Sequence, residues 1–207
     1  MTQLIGKAAL KRLRWQARRL STAARWGSDE LKRMPVVIGN SMPKSGSHLI
    51  IQILEGLPQI GPFVNPGMPP LNRDEDNVIQ SKETIISNIQ RLEPGDFTYC
   101  YLKAVEPFLN ALTQPGIAPI FVYRDPRDMI ISHIFYATEM HAGHLMHRYY
   151  TEELKTMEER INTAIHGVED ENSPLSGIAL KYSRYLAWLD QPQVLSLRFE
   201  QLILERD

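Results

Sequence analysis

The sequence of 207 residues contains a single cysteine, Cys100, so an internal disulfide cannot form. A chain that folds without disulfides fits a reducing compartment. No stretch approaches 18 consecutive apolar residues, so the sequence predicts no membrane-spanning helix, and its N-terminus lacks the long apolar segment of a secretory signal. We therefore expect a cytoplasmic protein.

The sequence also has almost no net charge, at −1, but its charges are unevenly distributed. Residues 1–33 carry nine Lys or Arg and two Asp or Glu, a net +7, whereas the rest of the chain carries 14 basic and 22 acidic residues, a net −8. We therefore predict a basic N-terminal arm over residues 1–33 and one domain over residues 34–207. Residues 4–26 contain no proline, which favours a helix in the arm.

A basic amphipathic helix of this kind has several uses. It can make peripheral contact with an anionic membrane, bind an acidic partner or serve as an organellar transit segment. The alternative is a solvated helix that packs Trp15 and Leu20 on the body of the protein.

Beyond the arm, apolar strand patterns alternate with helical patterns. Strands are predicted at residues 36–39, 97–102, 117–123 and 194–197. Helices are predicted at residues 49–54, 78–92, 125–135, 151–165 and 176–189, with a short helix near the end. Residues 58–76 contain five prolines and predict an irregular loop. The alternation predicts an α/β domain of three layers, αβα, around a mainly parallel sheet.

The first chemical motif, SMPKSGSHL at residues 41–49, lies where a buried strand turns into a helix. Such a turn presents backbone N–H groups to an anion, and Lys44, Ser45 and Ser47 add one cation and two hydroxyls. It is not a Walker loop, because Lys44 precedes Gly46 instead of following the second glycine. A P-loop kinase is therefore the weaker interpretation.

The second motif, YRDPRDMIISH, begins at the end of the strand predicted at residues 117–123. Arg124 follows the strand, and Ser132 lies eight residues later on the next helix, so both can reach one phosphate. Open parallel sheets bind ligands at the carboxyl ends of their strands. We therefore expect both motifs at one edge of the sheet.

Together the two motifs resemble those of the sulfotransferases that use 3′-phosphoadenosine 5′-phosphosulfate (PAPS). PKSGSHL is similar to that family's 5′-phosphosulfate loop, and VYRDPRDMIISH to its 3′-phosphate motif. The resemblance implies a P-loop-like sulfotransferase fold from about residue 36 onward, with Arg124 and Ser132 on the 3′-phosphate. It also implies that the 5′-phosphosulfate is held by Lys44, Ser45, Gly46, Ser47 and His48.

The implied reaction transfers a sulfuryl group from PAPS to a hydroxyl or amine of a small-molecule or glycan acceptor and releases 3′,5′-adenosine bisphosphate (PAP). Lys44 is then the central catalytic cation, and the family requires neither a metal nor a nucleic-acid partner. Tyr182 stands where the family often has an aromatic residue that contacts the nucleotide, although a place in the core is the alternative. The histidine-rich segment at residues 133–150 is expected to line the acceptor cleft.

Two departures from the family pattern concern activity. The family generally has a histidine base after the second strand, and here Tyr101 or Val105 takes its place. Tyrosine, with a pKa near about 10, is a poor base at neutral pH. Glu106 is the nearest carboxylate, and Lys103 can help to hold the bridging oxygen. The sequence also stops at Asp207, before the family's closing C-terminal segment, so a catalytically impaired nucleotide-binding protein is the alternative function.

Overall fold

A four-stranded parallel sheet forms the centre of the computed structural model, which describes residues 2–169 and 175–205, with side chains from Ala9 onward. The strand order is β2-β1-β3-β6, and every pairing is parallel. A separate antiparallel pair is formed by β4 and β5. The strands are β1 (Val36–Ser41), β2 (Phe97–Cys100), β3 (Ile117–Tyr123), β4 (Gly167–Val168), β5 (Leu175–Ser176) and β6 (Leu195–Arg198).

Helices cover both faces of the sheet. The α-helices are α1 (Thr2–Trp26), α2 (Ser28–Arg33), α3 (Ser47–Ile60), α4 (Lys82–Gln90), α5 (Phe108–Leu112), α6 (Pro126–Phe135), α7 (Met157–His166), α8 (Ile178–Leu186) and α9 (Phe199–Leu204). Two single π-helical turns, Tyr136–Met140 and Tyr149–Glu153, follow α6.

Side chains alternate between the two faces of the sheet, as strand geometry requires. Ile38 and Phe121 pack in one buried cluster with α4, α5 and Trp188, which follows α8. Val37 and Val122 point to the opposite face and pack with α3 and α9. The predicted three-layer α/β fold with a parallel sheet is therefore confirmed.

Several predicted boundaries were wrong, three of them by four residues or more. α3 continues to Ile60, so Pro58 lies in its last turn and not in the following loop. α4 begins at Lys82 instead of residue 78, because the Ser81 hydroxyl accepts a hydrogen bond from the Thr84 N–H and caps the helix there. The helix predicted from residue 151 is interrupted before α7, where Thr156 forms a capping box.

The basic arm is a helix, as predicted, and it lies against the body. Trp15 Nε1 donates a hydrogen bond of 3.1 Å to Asp96, and Arg19 Nη1 donates one of 2.8 Å to the same fully buried carboxylate. Leu20 is 72% exposed, so Trp15 contacts the body and Leu20 does not. Among the helices of the described ranges, none has the length and apolar character needed to cross a membrane.

Candidate active site

A cavity of about 940 Å³ opens at the carboxyl edge of the sheet, where β1, β2 and β3 end. Both sequence motifs contribute to its lining. The motif residues that line it include Lys44, Gly46, Ser47, His48, Arg124 and Ser132. Two stretches about 80 residues apart in sequence therefore share one cleft, as the strand order predicts.

The loop between β1 and α3 has a sharply turned backbone. Lys44 has φ 69° and Gly46 has φ 102°, both in the left-handed region. A Cβ on Gly46 would lie 2.3 Å from Phe199 Cδ2, so this position requires glycine for space as well as for conformation. The first N–H groups of α3, which begins at Ser47, lack intrahelical acceptors and lie beside the cavity.

Ser45 differs from its neighbours in this loop. Its side chain is fully buried, and its hydroxyl lies 2.7 Å from Met42 O and 2.9 Å from Val122 O, where it donates. This contact ties the loop to β3. Of the residues predicted to hold the 5′-phosphosulfate, Ser45 is the one whose hydroxyl is turned away from the cavity.

Lys44 is held over an aromatic ring. Its Nζ lies 3.7 Å from the centre of the Tyr136 ring, a cation–π contact from the turn that follows α6. Partial burial, and secondarily the positive charge of Arg124, lower the pKa of Lys44. The electrostatic coupling means that the cations of the two motifs lie near each other.

Arg124 is positioned from several sides. Its guanidinium carbon lies 4.5 Å from the centre of the Phe199 ring, and its backbone carbonyl accepts a hydrogen bond of 3.1 Å from the Tyr182 hydroxyl. Its Nε is buried without an acceptor among the described residues, and its nearest carboxylate, Asp128, is 3.8 Å away. A buried donor without a partner marks a place where a ligand oxygen would fit.

The predicted candidates for acceptor activation lie partly outside the cleft. Tyr101 and Lys103 line the cavity, whereas Glu106 is not among the described residues that line it. Tyr182 is also absent from the described lining, and its hydroxyl donates instead to the Arg124 carbonyl. Val105, the other residue at the position of the family histidine, is exposed.

Two histidines also line the cleft, close to Tyr136. The rings of His133 and His144 are 5.1 Å apart and both line the cavity. Burial lowers the pKa of His133 to about 3, and the charges of Lys181, His144 and Lys44 act in the same direction. Burial also lowers the pKa of Lys181 to about 8. Within the described residues, no cluster of three or more His, Cys, Asp or Glu has metal-binding geometry.

Several cavity residues lie outside the two motifs, and Tyr136 belongs to the histidine-rich segment that was expected to line the cleft. Tyr136, Arg73, Lys181 and Arg184 line the cleft but belong to neither motif. Lys181 and Arg184 are three residues apart on α8, so helical periodicity could have placed them on one face. No local pattern marks Arg73.

A sequence model described as the sulfotransferase domain matches residues 35–207. This chain belongs to the sulfotransferase family. The sulfotransferase chain is also similar to a crystal structure of mouse sulfotransferase SULT7A1 complexed with PAP, with 13% identity and a TM-score of 0.52. That match covers 84% of this chain and 56% of the mouse chain, so this sequence spans little more than half of the mouse structure. Among curated proteins, no sequence matches this sulfotransferase significantly.

At 13% identity the structural likeness establishes the fold that the sulfotransferases share. The predicted family is confirmed by the domain match. The roles of individual cleft residues in this sulfotransferase stay predictions.

Proposed function

We propose that this sulfotransferase binds PAPS in the cleft at the carboxyl edge of the sheet and transfers its sulfuryl group to a hydroxyl or amine acceptor. The observation that carries the proposal is the meeting of Lys44 and Arg124 in one cavity. Two separated cations in a shared cleft match a donor that has a charged group at each end. The family membership supports the same assignment.

The 5′ end of the donor is assigned to the β1–α3 loop. Lys44 supplies a cation there, while Ser47 and His48 supply backbone donors at the start of α3. The 3′-phosphate is assigned to Arg124 and Ser132, since the buried Nε of Arg124 has no acceptor among the described residues. Tyr182 fixes the backbone from which the arginine extends.

Sulfuryl transfer is expected to share the physical logic of phosphoryl transfer. In a loose, in-line transition state, negative charge accumulates on the peripheral and leaving oxygens. Preorganised cations and N–H donors stabilise that charge most effectively in a partly desolvated site. We assign this role to Lys44, and its partial burial and its contact with Tyr136 support the assignment.

The reaction also requires a base that deprotonates the acceptor. Tyr101 and Lys103 line the cavity, but neither is a histidine, and Glu106 lies outside the described lining. The absence of a histidine at residues 101 and 105 supports a second candidate function. In that alternative, the protein binds the nucleotide and transfers sulfuryl groups slowly or not at all.

Calorimetric titration with PAP tests the site assignment. Lys44→Ala and Arg124→Ala should each weaken PAP binding by more than about 1 kcal/mol, or about fivefold in Kd, because charge-assisted bonds to phosphate are strong. Arg127→Ala is the matched control. Arg127 lies in the same motif as Arg124, but it is exposed, pairs with Asp125 and is not among the described cavity residues.

Unchanged PAP affinity in both cleft variants would refute the site assignment, and tighter binding of Mg-ATP than of PAP would favour a kinase. Activity is then measured as transfer of radiolabel from PAPS to a panel of hydroxyl and amine acceptors. PAP binding without any labelled product would support the impaired nucleotide-binding protein.

A further inference from the structure

A second group of cations lines the cleft beyond the end of β2. Arg73, Lys103 and Arg184 all border the cavity, and none belongs to the two nucleotide motifs. Lys103 follows β2, whereas Arg124 follows β3, and β1 lies between these two strands in the sheet. The second group therefore lies to one side of the Lys44–Arg124 pair.

Two hydrogen bonds join the segments that carry Arg73, Lys103 and Arg184. The Tyr101 N–H donates a hydrogen bond of 3.0 Å to Asn72 Oδ1, next to Arg73. The Ala104 N–H donates one of 2.8 Å to the carbonyl of Arg184. Both contacts come from the segment that holds Lys103, so the backbone around Lys103 is tied to the segments of the two arginines.

The side chain of Tyr185 lies near both arginines of this group, Arg73 and Arg184. Burial raises the pKa of Tyr185 to about 12, while the positive charges of Arg184 and Arg73 both act in the opposite direction. A single buried phenol therefore lies within electrostatic reach of both guanidinium groups. Arg73 and Arg184 therefore both lie near Tyr185 and line the same cavity, although they are far apart in sequence.

These three cations have no carboxylate to neutralise them. Within the described part of the chain, Arg73, Lys103 and Arg184 form no ion pair, and the residues lining the cavity include no Asp or Glu. The guanidinium of Arg73 donates to the Asn77 carbonyl at 2.6 Å, a neutral acceptor. A cleft with one sign of charge and low-dielectric walls attracts an anion of the opposite sign.

We infer that Arg73, Lys103 and Arg184 bind an anionic group of the acceptor itself, a phosphate, sulfate or carboxylate. This inference rests on the proposed function, because it assumes that the nucleotide occupies Lys44 and Arg124. The acceptor is then a compound that carries both a reactive hydroxyl or amine and a separate negative charge. Arginine forks and a lysine suit such oxyanions through charge-assisted hydrogen bonds.

The first test is calorimetric titration of inorganic phosphate into the PAP-saturated protein. The double variant Arg73→Gln/Arg184→Gln should bind phosphate at least tenfold more weakly than the wild type, with a PAP Kd within twofold of the wild-type value. Arg148→Gln is the control, because Arg148 is an exposed residue paired with Glu152 and not among the described cavity residues. Urea unfolding midpoints confirm that the variants are folded.

Equal phosphate affinity in the double variant and the wild type would overturn the inference. A loss of PAP affinity in the double variant as large as that of Lys44→Ala would also overturn it, because these cations would then serve the nucleotide. If wild-type protein does not bind PAP at all, the proposed function fails. The phosphate titration repeated without PAP would still decide whether the anion subsite exists.

The second test compares two phenols of similar size on the PAP-saturated protein. 3-(4-Hydroxyphenyl)propionate carries a carboxylate, and 4-ethylphenol carries none. The anionic phenol should bind at least tenfold more tightly, and this preference should disappear in the Arg73→Gln/Arg184→Gln variant. The absence of a preference for the anionic phenol in the wild type would overturn the assignment of this subsite to the acceptor.

Discussion

Helix α1 and the cleft are both rich in basic residues, but they use them differently. On α1, Arg19 pairs with the buried Asp96 at 2.8 Å and with Glu93 at 3.0 Å, and Lys11 pairs with Glu75. In the cleft, the described lining contains no carboxylate. Arg19 and Lys11 of α1 therefore pair with acidic groups of the body, whereas among the described cations of the cleft only Arg124 has an ion pair, a long one of 3.8 Å with Asp128.

This contrast separates a structural use of charge from a ligand-binding use. Part of the +7 charge of residues 1–33 is neutralised by the acidic body, so the sum alone overstates what an external partner would meet. Contact of the arm with an anionic membrane stays a prediction. The cleft cations, in contrast, have no carboxylate in the described lining and would be stabilised further by a bound anion.

The largest effect on stability is expected from the buried carboxylate beneath α1. Asp96 accepts hydrogen bonds from Trp15, Arg19 and the N–H of Glu93. Asp96→Ala should lower the free energy of unfolding by about 3 kcal/mol, since it leaves Arg19, only 14% exposed, without its closest partner. Urea denaturation measures this change.

Asp96→Asn is the matched control for that experiment. Asparagine keeps an acceptor oxygen for Trp15 or Arg19, so its loss of stability should be smaller than that of Asp96→Ala. PAP affinity of the folded variants should match the wild type, because no described residue of α1 lines the cavity. A stability equal to wild type in both variants would show that α1 does not depend on this contact.

The second effect concerns His133, which lines the cleft. Burial and nearby cations hold the pKa of His133 at about 3, below the usual value of about 6.5. Between these values the unfolded chain binds a proton that the folded protein does not, so stability falls as pH falls. At pH 5 the lost stability should be about 2 kcal/mol relative to pH 7.5.

His133→Gln should remove this part of the pH dependence of unfolding, measured by urea denaturation at pH 7.5 and pH 5. His144, whose pKa is also lowered by burial, contributes a remaining dependence in the same direction. His166→Gln is the control, because His166 is exposed at the end of α7. An unchanged pH dependence in His133→Gln would mean that the fold does not lower the pKa of His133.

The sequence predicted the parts of the molecule that depend on local pattern. Apolar β-branched runs marked β1 and β3, and the two motifs placed Lys44 and Arg124 at the same sheet edge because parallel strands end together. The first residues of helices were harder to predict. The Ser81 hydroxyl caps α4, which therefore begins four residues later than the apolar pattern predicts.

Long-range neighbours could not be predicted from pattern. Arg73 lies in the proline-rich loop and Arg184 on α8, and only the folded chain brings them to the same buried phenol of Tyr185. The partner of Trp15 is equally distant, because Asp96 lies 81 residues later. Periodicity can suggest which face of a helix is buried, but it does not identify the acidic residue that the face contacts.

The smallest effect is expected from the other ion pair of α1. Lys11 and Glu75 pair with side chains that are 45% and 62% exposed, so water screens the attraction, and fixing two long side chains costs entropy. Lys11→Ala should change the free energy of unfolding by less than about 0.5 kcal/mol, measured by urea denaturation beside Asp96→Ala. A loss as large as that of Asp96→Ala would contradict the view that burial decides which arginine or lysine holds α1 in place. Both pairs join the same helix to the same body, and they differ chiefly in how far water reaches them.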